Sequence, residues 1–241
     1  MRERAKLILF DIDGTLVDTE GAGLLALESG FFEAFPESRG RTFPPLDLRG
    51  ATDGSVVAFL FEYFGIPDLE ENRIAFFCTY ETALRKQLVL FREHGKGRAL
   101  PGVGVLLDDL ANRNEISLGL LTGNIEAGAR TKLEHFSIHH YFEFGAYGDD
   151  DPVRDRLGPI AIERARRVTG REHTPGSTIV IGDTLKDVSC AKALGARCIA
   201  VATGGVSGEV LKTGEPDVIL EDFSDVGLTL KIIGEVLDWS P

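Results

Sequence analysis

The sequence predicts an α/β fold: a Rossmann-like parallel sheet with helices on both faces, plus an inserted all-helical cap domain. Three observations carry this reading. Short apolar runs bounded by turn residues recur along the chain, helix-period segments lie between them, and one long stretch near the start departs from the alternation. The runs cover residues 7–10, 116–121, 178–181, 198–201 and 218–220. They are continuously apolar, which marks strands buried on both faces. Between several of them lie segments of helical period at 102–111, 126–136, 159–168 and 185–194.

The stretch from about residue 19 to residue 93 reads as helix throughout, over 22–35, 55–64 and 70–91, with a connection carrying Pro44, Pro45 and Gly50. Turn residues at Gly95, Gly97, Pro101 and Gly102 mark the return to alternation. The expected division is therefore a Rossmann-like core of residues 1–16 and 98–241 and a helical cap of residues 17–97, with hinges near 16–19 and 93–99. The 28 glycines exceed the usual share of about 7% and suit many tight strand-to-helix turns.

Composition narrows the function classes. Hydrophobic residues are 43% and charged residues 27% of the 241, so the chain can bury a core without staples. Its 38 acidic against 26 basic residues leave a net charge of −12, the wrong sign for broad binding to nucleic acid or anionic lipid. No apolar run approaches the ~18 residues of a membrane helix. Only four apolar residues follow the basic start before Asp11, too few for a secretory signal. The three cysteines, Cys78, Cys190 and Cys198, form no C-x-x-C pair and read as small buried hydrophobes. A cytoplasmic monomer or homodimer, with no nucleic-acid or membrane partner, is the expectation.

Chemistry concentrates where three strands end. The first runs into Asp11-Ile12-Asp13-Gly14-Thr15, another into Thr122-Gly123-Asn124, and a third into Asp183-Thr184-Leu185-Lys186-Asp187. In open parallel sheets, ligands bind beyond the carboxyl ends of the strands, so these residues converge. Four carboxylates gathered at one edge repel one another unless a hard cation such as Mg²⁺ joins them, held by carboxylates, water and substrate phosphate.

In these motifs the chain resembles the haloacid dehalogenase superfamily of phosphohydrolases, in its subgroup with a helical cap after the first strand. The resemblance spans nearly the whole sequence. Asp11 and Asp13 match the first motif, Thr122 the second, and Asp183 and Asp187 the fourth. For the third motif the usual lysine is absent, and two arginines, Arg154 and Arg156, stand ahead of the helix that Leu157 leads. Similarity to the phosphoglycolate-phosphatase-like branch favours Arg154, with Arg156 as the alternative.

The resemblance implies a Mg²⁺-dependent phosphatase that hydrolyses a small phosphorylated metabolite through an aspartyl phosphate. Asp11 is then the nucleophile and Asp13 the acid that protonates the leaving oxygen and later activates water. Thr122, Gly123, Asn124 and Arg154 hold the phosphate, and Asp11, Asp13, Asp183 and Asp187 hold the metal. For Asn124, capping of the following helix is an equal alternative. The segment from Leu48 to Asp53 resembles a substrate-specificity loop and also suits an N-cap for the helix near Ser55. Lys186 reads as a solvated lysine, and His135, His139 and His140 as an exposed helix end rather than a metal site. Three rivals remain: a phosphomutase of the same fold, a 2-haloacid dehalogenase, which needs neither the second aspartate nor a metal, and a non-enzymatic metabolite-binding regulator.

Overall fold

The computed structural model describes residues 5–238, so the first four residues of the basic start lie outside the described residues. In chain order the elements are β1 (Lys6–Phe10), β2 (Val17–Asp18), α1 (Ala22–Ala34), α2 (Asp53–Phe64), α3 (Glu70–Glu93), β3 (Arg98–Ala99), α4 (Val103–Ala111), β4 (Ile116–Leu121), α5 (Glu126–His135), β5 (Gly145–Ala146), α6 (Leu157–Thr169), β6 (Thr178–Gly182), α7 (Leu185–Leu194), β7 (Arg197–Val201), α8 (Gly208–Lys212), β8 (Val218–Leu220) and α9 (Val226–Val236).

Six strands form one parallel sheet in the order β5-β4-β1-β6-β7-β8. The first strand sits in the middle. The chain leaves it to build β4 on one side and β6 on the other, which makes β1 the topological switch point, where a crevice opens above the carboxyl ends. The register aligns those ends: Phe10 pairs with Leu120 of β4 and with Ile181 of β6.

Alternate residues of the strands feed two cores, as the two-residue period of a strand requires. Ile8 and Phe10 pack with Leu106, Leu107 and Ile233 under α4 and α9, while Leu7 and Leu9 pack with Leu157, Ala161 and Val188 under α6 and α7. Cys190 and Cys198 belong to the second core, but Cys78 is exposed on α3. That corrects the expectation of three buried cysteines: its helix turns this position outward.

Helices α1, α2 and α3 make a third core of their own, built on phenylalanine. Phe31 is fully buried, and its ring centre lies 4.6 Å from that of Phe64 and 5.8 Å from that of Phe76. An antiparallel pair, β2 with β3, joins the chain entering this helical segment to the chain leaving it. Among the described residues, no helix is long and apolar enough to cross a membrane.

Candidate active site

The first strand delivers two aspartates through a tight turn. The Asp11 N–H donates to the Ile181 carbonyl, continuing the sheet, and the Gly14 N–H then folds back to donate to the Val17 carbonyl at 2.8 Å. Gly14 has a φ of +77°, and a Cβ there would stand 2.6 Å from Asp183 Oδ2. Glycine is therefore required twice over, by backbone conformation and by the neighbouring carboxylate.

On one side of this turn, acid accumulates. Asp11, Asp183 and Asp187 are buried, and each offers an oxygen within 4.8 Å of the others. Burial pushes the Asp11 carboxyl up to about 6, with Asp187 and Asp13 adding to the rise and Arg154 opposing it. Burial likewise raises Asp183 to about 8, reinforced by the charges of Asp11 and Asp187. Arg154 is the cation between them, buried, with Nη2 bonded to Asp187 Oδ1 and 3.0 Å from Asp11 Oδ1. The Asp11 contact is a charge contact without hydrogen-bond alignment, which leaves that buried oxygen without a hydrogen-bond donor. Burial works against Arg154's charge, but the two carboxylates hold its ionisation above the usual arginine value.

Asp187 is already committed. It is the third residue of α7, where its Oδ2 accepts both the N–H and the hydroxyl of Thr184 in a capping box. Asp183 accepts a single bond at 3.2 Å from the Thr15 hydroxyl. The free capacity for a cation thus lies on Asp11 and Asp183, with Asp187 behind them. Three carboxylates, one arginine and an orphaned buried oxygen fit a hard divalent ion.

Of the four expected carboxylates, three gather here, and the side chain of Asp13 turns to the other side. Its Oδ2 accepts from Lys132 Nζ at 2.6 Å and from Asn124 Nδ2 at 2.8 Å. Asn124 also donates to the Thr122 hydroxyl and accepts from Lys132. Its amide is spent on this network, and Ile125, not Asn124, stands at the N-cap of α5. Lys132 was not legible as a site residue, although its spacing of four from Gly128 and three from Ala129 on the buried face of α5 is a signal of it.

A loop from the helical segment roofs the crevice. The Asp53 N–H donates to the Gly123 carbonyl at 2.7 Å, Asp53 Oδ2 accepts from the Ile125 N–H, and the Thr52 hydroxyl donates to the Pro152 carbonyl. A Cβ on Gly123 would stand 1.9 Å from the Ala51 carbonyl oxygen, so only glycine lets the roof seat. Thr52 Oγ1 also accepts from the Ser55 N–H, so the same residue caps α2 and touches the core. Loss of hydration pushes Asp53 up to about 6, with Lys132 opposing. The cavity beneath it, about 510 Å³, is walled on the helical side by Leu24, Leu27 and Tyr80.

The model of the haloacid dehalogenase-like hydrolases matches residues 8–201. The chain belongs to this family. It is 29% identical over 227 residues to a probable phosphatase, IndB, of Dickeya dadantii, covering 91% of each chain. It is 31% identical over 236 residues to a phosphoglycolate phosphatase of Salmonella typhi, covering 91% of this chain and 90% of the relative. In fold it matches a β-phosphoglucomutase of Clostridium difficile with a TM-score of 0.69 at 18% identity, over 98% of this chain and 97% of the other. As a member of the hydrolase family, the protein carries its acidic motifs at the carboxyl ends of β1 and β6 and at the start of α7.

Other candidates lie apart from the crevice chemistry. Arg156 is 69% exposed and 3.6 Å from Asp151, and Lys186 is exposed. His135, His139 and His140 enter no metal-ligating group among the described residues.

Proposed function

We propose that this hydrolase is a Mg²⁺-dependent phosphatase acting on a small phosphorylated metabolite through an aspartyl phosphate on Asp11. The observation that carries the reading is the division of the carboxylates: Asp11 lies beside an acidic group fit for a cation, and Asp13, two residues on, is held outside it. That arrangement supplies a nucleophile and a separate acid. A dehalogenase attacking carbon needs neither the separate acid nor the cation.

Asp11, Asp183 and Asp187 are the residues suited to hold Mg²⁺, which when bound offsets charge on the phosphate and on the nucleophile. Asp11 attacks phosphorus, and Asp13 gives a proton to the leaving oxygen. Thr122, the Gly123 amide and Arg154 surround the transferring oxygens, with Arg154 also restraining Asp11. Asn124 fixes the Thr122 hydroxyl and Asp13 together. The roof over Gly123 excludes water while the bond is broken.

The test is phosphate release across phosphoglycolate, phosphosugars, nucleotides and p-nitrophenyl phosphate, with Mg²⁺ and after chelation. Turnover of at least one ester, lost on chelation and restored by Mg²⁺, is expected. Asp11→Asn should lower it by about three decades or more while the folded far-UV signal remains. Turnover that survives chelation, or that survives Asp11→Asn, would overturn the reading.

A further inference from the structure

Lys132 is the buried charge in the crevice that the reaction as described does not use. Its side chain is 5% exposed, and its ammonium lies 2.6 Å from both Asp13 Oδ2 and Asn124 Oδ1. An ammonium only donates, so it settles which way the Asn124 amide points: oxygen toward Lys132, nitrogen toward Asp13 and Thr122. Two N–H donors then converge on one oxygen of Asp13, its Oδ2. Asp13 Oδ1 receives no hydrogen bond among the described residues, and the side chain, 41% exposed, lines the cavity.

A carboxyl proton on Oδ2 would face two donors, an unfavourable arrangement, whereas on Oδ1 it faces the cavity. We propose that Lys132 is a positioning residue that, with Asn124, fixes the rotation of the Asp13 carboxyl and reserves Oδ1 as the oxygen that gives and takes the proton. This rests on the phosphatase reading above. In the first half, a bond forms between an Asp11 oxygen and phosphorus, the bond from phosphorus to the leaving oxygen breaks, and the proton on Asp13 Oδ1 passes to that oxygen. In the second half, Oδ1 takes a proton from water as the water oxygen bonds to phosphorus and the bond from phosphorus to Asp11 breaks. Phosphate leaves and Asp13 is again protonated on Oδ1.

A lysine that merely neutralises the pocket would affect every ester alike, whereas one that orients the acid matters most where the leaving group needs a proton. The experiment measures kcat/KM of wild type, Lys132→Met, Lys132→Gln and Lys132→Arg on an alkyl phosphate ester and on p-nitrophenyl phosphate, with thermal melts of each variant. Because general acid catalysis contributes about 10²- to 10⁴-fold, Lys132→Met should lose about 100-fold on the alkyl ester and about fivefold on the aryl ester. Lys132→Arg, which keeps charge and donors, should recover part of the alkyl loss. If Lys132→Met does not fold, the same ratio of losses is read in Lys132→Gln. Equal losses on both esters, or none, would overturn the positioning role while wild-type turnover leaves the phosphatase reading standing. No wild-type turnover of either ester would overturn that reading and this inference with it.

Discussion

The two sides of the crevice meet at one turn of chain yet are built on opposite electrostatic terms. On the Asp11 side, three buried carboxylates share one arginine, and both Asp11 and Asp183 are driven toward their neutral forms. On the Asp13 side, a single carboxylate meets a lysine and an amide, and the hydrogen bonds close among themselves. Buried charge is tolerated when paired and costly when not. The first side is therefore suited to a cation, and the second is paired within the chain. In the proposed reaction the same motif serves as nucleophile and acid because its two carboxylates are given different neighbours.

The sharpest way to break the first side is to remove its one cation. Arg154 is buried against Asp11 and Asp187, while Arg156 is 69% exposed. Assayed on one ester, Arg154→Met should lose roughly 3 to 4 kcal/mol of transition-state stabilisation, about two to three decades in kcat/KM. Arg156→Met should stay within about threefold of wild type, since an exposed pair contributes under ~1 kcal/mol. Arg154→Met should also lower Tm, because Asp187 is left buried without its partner. A dead Arg156 variant beside an active Arg154 variant would reverse the assignment.

The contrast also explains what could be read in advance. Strands β4 and β8 and helix α7 match their sequence readings end for end, because continuous apolar runs between turn residues leave few alternatives. Strand β5, only Gly145–Ala146, has too few residues to carry a period, and α9 lies beyond the segments that the alternation marked. At the site, Asp11, Thr122 and Asp183 announce themselves by following strands. Lys132 does not, because a lysine within a helix ordinarily faces water, and only the tertiary packing of α5 shows that this one faces Asp13. For the same reason spacing places Asp13 near Asp11 but does not show that its side chain bonds Lys132, 119 positions away.

Within the acidic side, the commitments of Asp183 and Asp187 differ, and that difference sets the next expected effect. Asp183 accepts one hydrogen bond, from Thr15, whereas Asp187 is engaged by Arg154 and twice by Thr184. Asp183→Ala should raise the Mg²⁺ concentration for half-maximal activity by more than about 100-fold, and Asp187→Ala by about tenfold, the lower end of what outer-shell partners of a metal contribute. The Tm changes should rank the other way. Asp187→Ala removes one of the two carboxylate partners of Arg154 and half of the α7 capping box, while Asp183→Ala relieves crowded like charge. Titrating Mg²⁺ against activity and against Tm separates the two effects, and a larger Mg²⁺ shift in Asp187→Ala would put that residue on the ion.

The smallest effect tests whether the roof belongs to neither side. Thr52 contacts no carboxylate of the crevice: its hydroxyl donates to the Pro152 carbonyl at 2.9 Å and accepts from the Ser55 N–H at 3.2 Å. Thr52→Val keeps the shape and removes both bonds. Loss of an N-cap and of one hydrogen bond costs about 1 to 2 kcal/mol in all, but part of that falls on α2 itself and not on closure. About 1 kcal/mol taken from the roofed state corresponds to roughly a fivefold rise in KM. The groups that move charge are untouched, so kcat should stay within about twofold, and a melt should show a modest fall in Tm from the uncapped helix. Steady-state kinetics on the best ester of the panel gives both constants. A rise in KM alone keeps the roof as a device for closing over the substrate. A fall in kcat at unchanged KM would instead mean that the position of the roof is transmitted through Gly123 to the phosphate, and that the two sides of the crevice are set from above as well as by their own charges.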